Sequence, residues 1–291
     1  MMTPYERLRF ATILPAGGMA LYVRDAIATV VAPKSSIARS RRAARTFRTE
    51  FLSHIFLEAD GHRVETQLAM PDQPPKAMVL LCHGIGEQLY FWREVQHILC
   101  SAGIASLIFH YPGYGRSTGL FTWENVAAGA HAAYRYLHEL EPSAPMYVFG
   151  TSLGTAVAAH IASELQPAPN GVILSQGFTT LREAAKAVLR TVHLPTALHA
   201  LVPDVWRNTA AVARARCPIL VVHGASDQLF PVAMGEELHR SAEARLDCSQ
   251  TLLTPKDFDH SDPMLGEKVE VYWQPILEFI RANERGRLRP R

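Results

Sequence analysis

The stretch Met146-Tyr-Val-Phe-Gly-Thr-Ser-Leu-Gly-Thr-Ala156 constrains the fold more than any other part of the chain. Residues 146–149 form a short apolar run that reads as a buried strand. Gly150-Thr151-Ser152-Leu153-Gly154 then fits the pattern G-x-S-x-G, and the alanine-rich residues 156–162 suit a helix. Strand, tight turn and helix are the setting a nucleophile elbow needs, because the turn pushes the serine hydroxyl out above the sheet. Gly150 and Gly154 supply the missing side chains that let strand and helix approach closely. The competing reading is a glycine-rich βα turn with an idle serine.

The rest of the chain reads as alternating strands and helices. Residues 54–58 and 63–70 alternate apolar and polar positions around Asp60-Gly61, which predicts a hairpin. Apolar runs at 77–82, 104–109, 171–175, 219–222 and 250–253 predict strands. Helices are expected over 88–100, over 122–140 with Thr122 as cap and Pro142 as stop, over 232–244 and over 265–281. This alternation argues for a mostly parallel sheet covered on both faces. Residues 179–216 interrupt it with short helices broken at Pro195 and Pro203. They carry Val188, Leu189, Leu194, Leu198, Leu201 and Trp206, and a helical lid insertion is expected there.

At 291 residues and 48% hydrophobic, the chain has enough for one large α/β domain and is marginal for two. Net charge is +2, but its distribution is uneven: residues 1–50 hold nine Lys/Arg against three Asp/Glu, and residues 281–291 hold five Arg against Glu284. Basic ends meet anionic lipid or nucleic acid, or are simply solvated. Residues 1–50 are expected to be a basic extension that packs, links or touches a membrane peripherally, with residues 51–291 forming the domain. Pro15, Gly17 and Gly18 break the run that a membrane span or signal peptide would need. A cytoplasmic, or membrane-peripheral, location follows as an expectation. The four cysteines match no zinc or redox spacing, the histidines show no metal motif, and no metal site and no nucleic-acid partner are expected.

A serine hydroxyl needs a base within hydrogen-bond reach, and the base needs an orienting acid. Two residues fall in place after Ser152. Asp227 follows the run 219–222 through His223-Gly-Ala-Ser, and His260 follows 250–253 within Asp257-Phe-Asp-His-Ser-Asp262. Both sit in loops at strand C-terminal ends, where sites in open α/β sheets collect. Taken singly, Asp227 could be a turn residue and His260 a surface histidine. An oxyanion would need backbone donors. Leu153 N–H is one choice, and Ile85 N–H, after His83-Gly84, is the other, with Gly86 as its neighbour. His83 and His223 are expected to shape turns.

These pieces together carry a resemblance. His83-Gly84, Tyr111-Pro-Gly-Tyr-Gly-Arg-Ser117, Gly150-Thr-Ser-Leu-Gly154, His223-Gly-Ala-Ser-Asp227 with Pro231, and His260 are similar to the α/β-hydrolase superfamily, in the branch of monoacylglycerol-lipase-like and serine-aminopeptidase-like hydrolases. Most relatives carry Asp where this chain has His110. The resemblance implies the α/β-hydrolase fold and a serine hydrolase with Ser152, Asp227 and His260 as triad. It implies no cofactor and an acyl ester or thioester as small-molecule substrate, with an apolar acyl chain suggested by the insertion. An acyltransferase or cyclase, a peptidase, and a catalytically silent binding protein are the alternatives. The oligomeric state is not legible.

Overall fold

A computed structural model describes residues 51–283, apart from 192, 203–204, 244–249 and 263–266. The expected basic extension and Cys248 therefore lie outside the described residues. Strands β1 (Leu52–Ala59) and β2 (His62–Ala69) form the hairpin around Asp60-Gly61, paired in register along their whole length. The sheet continues with β3 (Ala77–Cys82), β4 (Ile104–Phe109), β5 (Met146–Thr151), β6 (Gly171–Ser175), β7 (Ile219–Val222) and β8 (Gln250–Leu253). The strand order is β1-β2-β4-β3-β5-β6-β7-β8. β1 and β2 run antiparallel to their neighbours, and all pairs from β4 to β8 are parallel. Every residue of β3 to β7 is buried, which is why those runs are continuously apolar rather than alternating.

Alternate side chains of each strand feed opposite layers. Met78, Leu80 and Cys82 join one core and Ala77, Val79 and Leu81 the other. Helices α1 (Arg93–Ser101) and α7 (Val269–Asn283) cover one face through Val95, Leu99, Tyr272, Trp273 and Ile276. The other face takes α2 (Trp123–Leu140), α3 (Leu153–Ile161), α5 (Asn208–Arg214) and α6 (Val232–Glu243). Thr122 caps α2 as expected, its hydroxyl accepting from Asn125 N at 3.3 Å. The helix expected over 88–100 begins instead as a 3₁₀ turn, Leu89–Trp92. Loop side chains hold that turn: Leu89 N donates to His110 Nε2 and Trp92 Nε1 to Glu87 Oε2. Between β6 and β7 the chain forms α4 (Leu181–Thr191), a second 3₁₀ turn (Thr196–Leu201) and α5. Among the described residues no helix is long and apolar enough to cross a membrane.

The register gives the molecule two poles. Leu52 pairs with Ala69, and Ala69 with Ser106 toward the start of β4. The Tyr147 hydroxyl, near the start of β5, donates to Ile280 O in the last turn of α7. The described chain thus begins and ends at the strands' N-terminal pole. Ser152, Asp227 and His260 follow β5, β7 and β8 at the opposite one.

Candidate active site

The elbow is set by what cannot fit around it. A Cβ on Gly150 would lie 2.2 Å from Gly154 O, and one on Gly154 would lie 2.0 Å from Cys82 O. Only glycine at both positions lets α3 start directly against β3 and β5. Between them Ser152 adopts φ 50°, ψ −118°, a region non-glycine residues rarely occupy. Such a conformation costs on the order of 1–3 kcal/mol and persists only where the surroundings enforce it. Here Ser152 N donates to Ser175 O at 3.0 Å, and Thr155 N and Oγ1 both donate to Ser152 O.

His260 Nε2 stands 3.0 Å from Ser152 Oγ, and His260 Nδ1 donates to Asp227 Oδ2 at 2.8 Å. All three residues are buried. Asp227 Oδ1 accepts from Leu229 N and Phe230 N at 2.8 Å each, so the carboxylate is fixed by its own turn. His223, expected to shape a turn, does so through Nε2, which donates to Phe230 O at 3.0 Å and lies 3.5 Å from Asp227 Oδ2. Burial pushes the Asp227 carboxyl up, but the His223 and His260 hydrogen bonds, the His260 charge and the Phe230 N–H outweigh it and hold it well below the usual range. The Phe230 ring meets the His260 ring edge-on at 5.1 Å.

Sequence reasoning passed over Gln176, which ties these loops together. It is fully buried at φ 50°, directly after β6. Its Nε2 donates to Asp259 O in the loop of His260, and its Oε1 accepts from Gly224 N, at 2.8 Å, in the loop of Asp227. A glutamine following an apolar strand carries no signal by itself; its partners lie 48 and 83 residues away.

The loop after β3 closes the other side. A Cβ on Gly84 would come within 3.4 Å of Ser152 Cβ, so this backbone lies against the elbow. Ile85 and Leu153 are half-buried, and among the described residues neither N–H has an acceptor. His83 Nδ1 donates to Gly84 O at 2.7 Å, its ring stacks on Tyr111 at 4.1 Å, and the Tyr111 hydroxyl donates to His83 O. Burial and the nearby His110 push the His83 ring down to about 3, so it stays neutral and shapes the turn. At His110, where the resembling family mostly has Asp, the negative charge comes instead from Glu65 on β2. Glu65 accepts from His110 Nδ1 at 2.9 Å and from Arg116 N and Nε at 2.7 Å each, pinning the loop 111–117. Tyr111, Phe121 and Trp206 continue from that loop as a run of edge-to-face rings.

The apolar residues of the helical segment divide between inside and outside. Val188 packs with Phe178, Leu229 and Phe230, and Leu189 is also buried. Leu194, Leu198 and Leu201 are exposed, Leu201 at 62%. Among the described residues no three His, Cys, Asp or Glu side chains gather as a metal site. A hydroxyl bonded to an imidazole whose second nitrogen donates to a buried carboxylate can lose its proton as it attacks a carbonyl.

Comparison with known proteins bears on the fold and the relatives of the chain. A family model described as serine aminopeptidase, S33, matches residues 73–208, a span that includes the elbow and ends before Asp227 and His260. An uncharacterized protein of Mycobacterium tuberculosis (strain ATCC 25618 / H37Rv) is 31% identical over 191 residues, 64% of this chain and 64% of its own. Lysophosphatidylserine lipase ABHD12 of Macaca fascicularis is 26% identical over 51% of this chain and 40% of its own. The chain thus spans less than two thirds of the length of these relatives. A soluble variant of monoglyceride lipase from Saccharomyces cerevisiae superposes with TM-score 0.63 at 17% identity, covering 83% of this chain and 98% of its own. A thermostable carboxyl esterase from Bacillus coagulans gives 0.64 at 15% identity, covering 79% and 98%. At such identities the structural likeness speaks for the fold.

Proposed function

We propose, from the premise that this chain is an α/β-hydrolase of the monoacylglycerol-lipase-like branch, that it hydrolyses acyl esters or thioesters through a covalent acyl-enzyme. Ser152 attacks the acyl carbonyl while His260 takes its proton, and Asp227 holds the imidazole and balances the imidazolium. The Leu153 and Ile85 N–H groups receive the oxyanion. His260 returns the proton to the leaving group, and water activated by the same ring then releases the acid. The reading rests on one observation above all, the continuous chain from Ser152 Oγ through His260 to Asp227 at 3.0 and 2.8 Å.

The substrate class in this reading is a single-chain acyl ester with a polar alcohol. Its support is indirect: the relatives include lysophosphatidylserine lipases, and a monoglyceride lipase shares the fold. Residues 179–216 act as a lid, with residues 1–50 giving peripheral contact to a membrane from the cytoplasmic side. The test is labelling with a fluorophosphonate probe. Wild type labels, and Ser152→Ala does not while keeping its thermal unfolding midpoint. A triad lacking one member retains only about 10³–10⁴-fold acceleration over water. Labelling that persists in Ser152→Ala would overturn the assignment.

A further inference from the structure

The loop between Gly84 and the first turn of α1 contains a carboxyl that the proposed reaction does not use. Glu87 is buried at 8% exposure. Its Oε2 accepts from Gly84 N at 2.9 Å and from Trp92 Nε1 at 3.0 Å, and both donors are themselves buried. Its Oε1 lies on the side of Gly84: a Cβ there would stand 2.4 Å from Glu87 Oε1 and 3.4 Å from Ser152 Cβ. The carboxyl and the serine therefore share one glycine-sized gap, and Ile85 is the residue between Gly84 and the turn Glu87 holds.

We propose that Glu87 is a positioning residue of this site: its carboxyl fixes the Gly84–Ile85 backbone so that Ile85 N–H faces the oxyanion, and a negative charge on it would oppose the charge that forms there. The inference rests on the hydrolase reading above. Two N–H donors on one oxygen orient the group, and while Oε1 carries a proton the group is uncharged beside the developing oxyanion. A carboxylate in the same gap would repel that oxyanion in a medium that screens poorly. Burial raises the Glu87 carboxyl to about 7, and the Gly84 N–H and Trp92 indole oppose the rise without cancelling it.

The titratable groups around it leave this one as the responsive one. Tyr111 is pushed well above its ordinary value by burial, with Cys82 and Glu87 adding to the shift. Burial also pushes the Cys82 thiol up, and His83 is held neutral. Across Ser152 stand His260 and the ionised Asp227. No charged side chain among the described residues bonds to Glu87.

The sign follows from the direction of the shift. Glu87 is neutral below about 7 and ionised above it, so turnover falls as pH rises through that value. Its folded value also exceeds the ordinary 4.5, so its contribution to stability is present at acid pH and is lost between about 4.5 and about 7.

The experiment measures the rate of fluorophosphonate labelling, and kcat/KM on a p-nitrophenyl ester, from pH 5.5 to 9.5. Wild type, Glu87→Gln and Glu87→Ala are compared, with unfolding midpoints across the same range. Wild type is expected to show an alkaline limb centred near 7. Glu87→Gln keeps the shape and an acceptor for Gly84 N and Trp92 Nε1 but cannot ionise; it loses the limb, labels within about twofold of wild type at pH 5.5 and overtakes it by about threefold to tenfold at alkaline pH. Glu87→Ala releases Gly84, and its rate falls by about tenfold to a hundredfold at every pH, as misplacement of a reacting group does. The wild-type midpoint falls relative to Glu87→Gln as pH rises to about 7. An alkaline limb surviving unchanged in Glu87→Gln, or two variants indistinguishable from wild type, would overturn the role of Glu87 while leaving Ser152 labelled. Absence of Ser152 labelling in wild type would instead remove the hydrolase reading, and this inference with it.

Discussion

At the scale of single residues, Ser152, Asp227 and His260 are held by side chains that lie outside the proposed reaction. Gln176 is the sharpest case. Its amide bonds the loop of Asp227 with one end and the loop of His260 with the other. Gln176→Ala leaves the sheet intact but frees both loops together, so kcat is expected to fall by about a hundredfold, with KM for a short ester changing far less. Steady-state kinetics alongside thermal unfolding check this; an equal loss in variant stability and rate would make the residue merely structural. Ser152, Asp227 and His260 were legible in the sequence because each lies next to its own local signal: an elbow, a strand end, a loop in the right order. Leu153 and Ile85, the donors proposed for the oxyanion, are chain neighbours of those signals. Gln176, Glu87 and Glu65 were not legible. Gln176 and Glu65 find their partners in loops far away in the chain, Glu87 finds Gly84 and Trp92 close by, and a glutamine or glutamate beside a turn reads as solvated until its partners are known.

At the scale of elements, the sheet was the most legible part, the starts of α2 and α6 were legible too, and the start of α1 was not. Buried parallel strands must be continuously apolar, so β3 to β7 announced themselves. The 3₁₀ opening before α1 did not, because it is held by His110 from the loop after β4 and by Glu87 just ahead of the turn. The same holds for the segment between β6 and β7, whose apolar content was plain while its division into inner and outer faces was not. With Val188 and Phe230 inside and Trp206 against Phe121, the inner face offers hydrocarbon near the elbow. Each buried methylene contributes about 0.8 kcal/mol, roughly fourfold in affinity. For p-nitrophenyl esters from C2 to C12, kcat/KM is expected to climb with chain length and then level off. A profile falling from C2 onward would refute the lid and favour a small acyl group.

At the scale of the whole molecule, the sheet register separates the start of the described residues from Ser152, Asp227 and His260. Deleting residues 1–48 removes a segment joined at the far pole from Ser152, so turnover of a soluble ester is expected to stay within about twofold, the scatter of substitutions remote from any buried contact. Sedimentation with anionic vesicles then reads the other role: binding that depends on residues 1–48 supports the membrane contact, and binding that survives their removal excludes it. Loss of turnover with the fold retained would show that the segment completes the site.

Charge is unevenly spread along the chain. Residues 1–50, with nine Lys/Arg against three Asp/Glu, join the described residues where β1 begins, and residues 281–291, with five Arg against Glu284, follow the end of α7, both at the pole opposite Ser152. Since the net charge is only +2, the intervening chain is acidic. An anionic surface attracts basic segments within about a Debye length, roughly 8 Å at physiological salt. Binding of these segments to such a surface would tether the described residues at the pole opposite Ser152. An amphiphile would then reach the serine from the aqueous side, and the freed acid and alcohol would leave the same way.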